Sequence, residues 1–237
     1  MTTVPGQALL VDLDDTVINY GGSAEGSWRS VCGWAAGQVR GLEAESLFEA
    51  INRIRDWYWS DPERHREGRA DLRAASRRIA QQALVESGHD RPDLAQAIAE
   101  RYRDLRDESI HLIPGAVEAL ERLRARGVRL ALVTNGTGPD QRGKIERFDL
   151  ARHFEHIQIE GEFGCGKPDT RVYHAAMDAL RSWPAETWFV GDNLEWDVAA
   201  PQRLGLSAIW VDTARGGLPA GTTVQPHRII HSLAELA

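Results

Sequence analysis

The sequence predicts an α/β fold, a doubly wound parallel sheet interrupted by an all-helical insertion. Three observations carry that expectation. Five short apolar runs, ALLV (8–11), VRLALV (128–133), HIQI (156–159), TWFV (187–190) and SAIWV (207–211), are continuous rather than alternating, as strands covered on both faces require. Helix-like segments separate the later runs: AVEALERLRARG (116–127) ends in a glycine suited to a helix terminus, and TRVYHAAMDALR (170–181) spaces its apolar residues at the helical period. Between Thr16 and Val128 strand signals disappear, and Arg, Glu, Ala and Leu dominate segments such as ESLFEAINRIRDWYW and RPDLAQAIAERYRDLRDES. The expected division is therefore an α/β core of residues 1–17 and 112–237 around a helical insertion of residues 18–111.

Composition limits the partners. A chain of 237 residues with 42% hydrophobic content can bury a substantial core. Its formal net charge of -7 argues against nucleic acid or an anionic membrane, both of which reward excess Lys and Arg. MTTVPGQALLV has no basic start and too short an apolar core for a secretory signal, and no run approaches the ~20 apolar residues of a membrane span, so a cytoplasmic location is expected. The two cysteines, Cys32 and Cys165, have no metal-type spacing and read as packing residues.

Four of the five strands run into polar punctuation: DLDDT, TNGTG, GEFGCGKPD and GDNLEWD. In an open parallel sheet the C-terminal strand ends share one edge, which is where ligands bind. Asp12 and Asp14 should thus meet Asp192, Asp197, Lys167, Thr134 and Asn135. Several carboxylates on one edge repel unless a cation holds them, and oxygen ligands without His or Cys favour Mg²⁺. The hydroxyl, amide and ammonium groups suit phosphoryl oxygens, and one carboxylate can attack phosphorus.

DLDDTV with its DxDxT spacing at Asp12, Asp14 and Thr16, LVTNG at Thr134, GKPD at Lys167 and VGDNLEWD at Asp192 and Asp197 together resemble the four motifs of the haloacid dehalogenase-like hydrolases, in order. The resemblance implies a Rossmann-like core and a small phosphorylated metabolite as substrate. It implies that Asp12 is the nucleophile and that Asp14 protonates the leaving oxygen, then activates water. Thr134, Asn135 and Lys167 would bind phosphoryl oxygens. Mg²⁺ would be held by the Asp12 side chain, the Asp14 backbone carbonyl and Asp192, with Asp197 acting through water or Lys167 and Thr16 bracing the nucleophile loop. Asp14 points to phosphate esters, because family members that cleave carbon–halogen bonds lack an acid there.

The 117 residues between Thr16 and Thr134, against 32 between Thr134 and Lys167, resemble the subgroup with a helical cap after the first motif, which covers the site and excludes water. Asn19 and Tyr20 follow the first motif directly. Between Arg53 and Arg78 eight arginines face five acids; Arg66 and Arg69 are candidates for an anionic leaving group, against a solvated face with local ion pairs. Asp15 is assigned surface charge alone. Pro201 leaves two options for the helix after the fourth motif, a start near Val198 or an earlier start with a kink. The alternatives are a phosphomutase or phosphotransferase on the same fold, or a non-catalytic phospho-acceptor module, against which Asp14 and the large insertion argue.

Overall fold

The computed structural model describes residues 7–236. The chain divides into two compact units, one running up to Asn19 and again from His111, the other Tyr20–Ile110. Among the described residues no helix is long and apolar enough to cross a membrane.

In chain order the elements are β1 (Ala8–Val11), β2 (Ile18–Asn19), α1 (Ala24–Ala36), α2 (Ala44–Ser60), α3 (Pro62–Ala70), α4 (Leu72–Glu86), α5 (Pro92–Ser109), β3 (His111–Leu112), α6 (Ala116–Ala125), β4 (Arg129–Thr134), α7 (Gly138–Arg147), β5 (His156–Ile159), α8 (Glu160–Phe163), α9 (Thr170–Ala179), β6 (Thr187–Gly191), α10 (Ala200–Arg203), β7 (Ser207–Val211) and β8 (Arg228–Ile230).

Six strands form a parallel sheet in the order β5-β4-β1-β6-β7-β8. β1 is central and fully buried, which is why ALLV carries no polar residue on either face. Ala8 and Leu10, with Ala131, Val133 and Phe189, pack against Val172, Tyr173, Ala176 and Met177 of α9. The chain places β4 and β5 on one side of β1, then crosses to β6 and β7 on the other. The reversal at β1 opens a crevice at the carboxyl ends of the strands. β2 and β3 form a separate antiparallel pair, Ile18 opposite Leu112 and Asn19 opposite His111. β8 and this pair are strands that the apolar runs did not announce.

The helical unit is built on α1, α2, α4 and α5. Trp28, Leu47, Ile51, Ile79, Leu84 and Ile98 are buried in its core. Trp28 stacks on Tyr102, ring centroids 3.7 Å apart. Asp61 and Asp71 cap α3 and α4 by accepting from the backbone N–H groups of Arg64 and Ala74, the partners that a free helix N-terminus requires.

Candidate active site

The site is assembled from four loops at the carboxyl ends of β1, β4, β5 and β6. Asp12 leaves β1 with its backbone N–H donated to the Val190 carbonyl of β6. The chain then turns at once. The Leu13 carbonyl accepts from Val17 and Ile18 N–H at 2.9 and 3.1 Å, and Asp15 takes a φ of 59°, the left-handed region that Asp tolerates better than most residues. This turn brings the Thr16 hydroxyl back onto Oδ2 of Asp12 at 3.2 Å.

Lys167 reaches the opposite oxygen. Its ammonium donates to Oδ1 of Asp12 and to Oδ1 of Asp197, each at 2.7 Å, and all three residues are buried. The loop that carries Lys167 is clamped to the end of β4 by Asn135: its Nδ2 donates to the Lys167 carbonyl at 2.8 Å, and its Oδ1 accepts from the Lys167 N–H at 2.7 Å. Asn135 thus spends its amide on the Lys167 backbone.

Asp197 lies in a π-helical turn, Leu194–Ala199, that runs directly into α10. Of the two options left by Pro201, the earlier start is observed. The Ala200 N–H reaches back to the Glu195 carbonyl, the five-residue closure of a π turn. The Asn193 side chain caps this turn by accepting from the N–H groups of Glu195 and Trp196, and the Asn193 N–H in turn donates to Oδ2 of Asp197 at 3.0 Å.

Asp12, Asp192 and Asp197 each offer an oxygen within 4.8 Å of the others. Ionised together, the three carboxylates outnumber the single ammonium of Lys167. Burial is the main cause of a rise in Asp12 to about 7; Lys167 pulls it down, while Asp197 and Asp14 push it up. Burial likewise raises Asp192 to about 9, with Asp12, Asp197 and Asp15 adding to it. Asp15 therefore contributes to the field of the site, a correction to its reading as surface charge alone. Burial on its own would lower Lys167, but Asp12 and Asp197 outweigh it and hold the ammonium above the ordinary lysine value. The donor set is all oxygen, so a hard divalent cation such as Mg²⁺ fits the missing positive charge.

Among known families, that of the haloacid dehalogenase-like hydrolases matches residues 7–205. The chain belongs to the haloacid dehalogenase-like hydrolases. This hydrolase is 38% identical over 160 residues to a phosphoserine phosphatase of Thermus thermophilus, a match covering 67% of this chain and 62% of that protein. It is 28% identical over 205 residues to a glyceraldehyde 3-phosphate phosphatase of Methanopyrus kandleri, covering 86% and 82%. The first curated relatives are matched over less than two thirds of their own length. A HAD-hydrolase of Bacillus subtilis, solved bound to magnesium, superposes with a TM-score of 0.74 at 22% identity over 98% of this chain and 97% of that one. That last likeness is one of fold.

Two residues of the hydrolase's site have no counterpart in the sequence reading. Gln141 and Lys144 lie three apart on α7, buried. Lys144 donates to both carboxylate oxygens of Asp14 at 2.9 Å. Gln141 Nε2 lies 3.1 Å from Oδ2 of Asp14, 2.5 Å from the Thr134 hydroxyl and 2.9 Å from the Asn135 carbonyl. The only local signal was a helix start, Thr137 as cap with Pro139 in the first turn.

The remaining candidates lie on other elements. Asn19 is on β2. Tyr20 belongs to the helical unit, where its hydroxyl accepts from Arg103 at 3.2 Å and its ring lies 4.4 Å from the Arg106 guanidinium. Arg66 and Arg69 are on α3 of the same unit; Arg66 lies 3.8 Å from Glu63, and Arg69 bonds His65 at 2.7 Å.

Proposed function

We propose that this hydrolase cleaves the phosphomonoester of a small phosphorylated metabolite, with Mg²⁺ as cofactor and an aspartyl phosphate on Asp12 as intermediate. The observation that carries the reading is the Asp12 carboxylate itself. It stands buried at the end of the central strand, one oxygen on Lys167 and the other on Thr16, with Asp14 two residues further on. That the relatives include proteins named phosphatases supports phosphate ester chemistry.

In the first step an Asp12 oxygen bonds to phosphorus while the bond to the leaving oxygen breaks, and Asp14 gives that oxygen its proton, releasing the alcohol. In the second, Asp14 takes a proton from water as the water oxygen attacks phosphorus. The bond to Asp12 breaks, returning its carboxylate and releasing inorganic phosphate. Lys167 and the Thr134 hydroxyl bind the transferring phosphoryl oxygens, and Asn135 keeps the Lys167 loop in place for that task. The Asp12 and Asp192 side chains and the Asp14 backbone carbonyl would hold Mg²⁺, with Asp197 anchoring Lys167 beside them. Bound there, the ion supplies the positive charge that the carboxylates lack and that a phosphoryl group requires. Asn19, Tyr20, Arg66 and Arg69 are the proposed selectors of the leaving group.

The test is phosphate release across a panel of phosphorylated metabolites, with Mg²⁺ present or chelated, beside Asp12→Asn and Asp14→Asn. Chelation and either substitution are expected to abolish turnover, and Asp12→Asn to form no covalent intermediate. Full activity in EDTA would overturn the metal assignment. Release of inorganic phosphate with no added bisphosphate or acceptor sugar distinguishes hydrolysis from a mutase or phosphotransferase outcome.

A further inference from the structure

We infer that Lys144 and Gln141 are positioning residues: through them α7 fixes the direction of the Asp14 carboxylate and of the Thr134 hydroxyl. The inference rests on the phosphatase reading above and adds to it two residues outside the four motifs.

The geometry of Asp14 comes first. Each carboxylate oxygen can accept about two hydrogen bonds. Among the described residues, Oδ2 takes Lys144 and Gln141, whereas Oδ1 takes Lys144 alone. The side chain is 25% exposed. The carboxylate is therefore held from one side by two donors on a rigid helix, and Oδ1 keeps an acceptor position for a substrate oxygen or a water. A carboxylate with no such hold would spread over several rotamers.

Thr134 gives the second argument. A hydroxyl has one proton and two lone pairs. Gln141 Nε2 fills a lone pair at 2.5 Å, so the hydroxyl keeps its own proton to donate. That proton is directed to the Asn135 carbonyl at 3.3 Å, a long hydrogen bond. A phosphoryl oxygen bound at closer range would take the proton in place of that carbonyl.

The cost of the arrangement points the same way. Burying an ammonium costs several kcal/mol unless it is well paired, yet Lys144 is 8% exposed on a ten-residue helix that has open faces. The buried polar pair is spaced i, i+3 and so lies on one face of the helix; that single face serves both Asp14 and Thr134.

The experiment compares Lys144→Met, Lys144→Arg and Gln141→Leu with the parent on two esters. One is p-nitrophenyl phosphate, whose leaving group departs without a proton. The other is the alkyl phosphate of the metabolite panel that the parent turns over fastest. Lys144→Met should lower kcat on the alkyl ester by about 10-fold or more and on the aryl ester by less than about 3-fold, since only the former relies on a placed acid. Lys144→Arg, which can still grip a carboxylate, should restore most of the alkyl rate. Gln141→Leu should raise KM on both esters and weaken inhibition by inorganic phosphate. Thermal unfolding of each variant identifies loss of fold; if Lys144→Met does not fold, Lys144→Gln reads the same ratio. An alkyl-to-aryl kcat ratio equal to the parent's, with the parent active, overturns the inference alone. A parent that releases no phosphate from any ester overturns the phosphatase reading, and the inference with it.

Discussion

The Lys167 ammonium lies 2.7 Å from Oδ1 of Asp12, although 155 positions separate them in the chain. The two residues are buried, and the same ammonium meets Asp197 at an equal distance. One cation thus offsets two carboxylates that burial and mutual repulsion would otherwise force apart.

Removing that cation should be costly. Lys167→Met leaves Asp12 and Asp197 buried without their counter-charge, and breaking a buried pair from one side costs about 3–5 kcal/mol. The expected result is a clear drop in the unfolding midpoint of the metal-free protein, partly recovered on adding Mg²⁺, with turnover lost in both conditions. Urea unfolding with and without Mg²⁺ checks it; an unchanged midpoint would mean that Lys167 does not neutralise the cluster.

The stability of the metal-free protein should fall as pH rises. Asp12 and Asp192 sit at about 7 and about 9 in the folded chain, against 3.8 for an ordinary aspartate. Between those values the folded state holds protons that the unfolded chain has released, so unfolding stability declines with increasing pH. Lys167, held above its ordinary value, stays charged throughout this window. The decline should begin near pH 4 and run to about pH 9, and Asp192→Asn should flatten its upper part. Thermal unfolding in EDTA at a series of pH values measures it, and a midpoint that rises across the window would contradict the assignment. Mg²⁺ should stabilise more at the alkaline end, because its ligands must lose their protons to bind.

Gly191 closes β6 immediately before Asp192, and a Cβ at this position would run into the Asp197 carboxylate. Gly191→Ala therefore has to displace Asp197 from Lys167, at an overpacking cost of about 1–3 kcal/mol. Activity should fall by more than the stability loss explains, since the folded variant keeps every functional group but misplaces two. Comparing kcat with the unfolding midpoint tests this; parent-like kcat would show that Asp197 moves without consequence.

What could be read from the sequence follows from how each element is buried. ALLV, HIQI and SAIWV matched the observed strands because a parallel sheet covered on both faces leaves continuous apolar runs. The punctuation after them showed which loops carry polar groups, and the sheet brought Asp12, Lys167 and Asp197 into contact. β8 escaped because it has three residues, one of them the exposed Ile229. α7 escaped for a different reason. GPDQRGKIER buries Gln141 and Lys144 as well as Ile145, so the inward face of this helix is polar and gives no hydrophobic period. A helix turned toward a site is hard to see by the very signal that reveals helices turned toward a core. The π turn at Leu194–Ala199 was ambiguous because Pro201 is compatible with either helix start; the Asn193 cap and the Ala200 bond to the Glu195 carbonyl mark the earlier one.

The helical unit should depend most heavily on Trp28. Its ring is 1% exposed and stacks on Tyr102 with an interplanar angle of 16°, between α1 and α5. Its indole nitrogen has no hydrogen-bond partner among the described residues, so packing and stacking hold the residue. Trp28→Ala should cost about 3–5 kcal/mol through the lost contacts and the cavity left behind. Trp28→Phe keeps a stacked ring and loses no hydrogen bond, and should recover more than half of that cost. Denaturant titrations followed by far-UV circular dichroism give both numbers. If Trp28→Ala loses less than about 1 kcal/mol, the site collapses around the smaller side chain, and the Trp28–Tyr102 stack is not what joins α1 to α5.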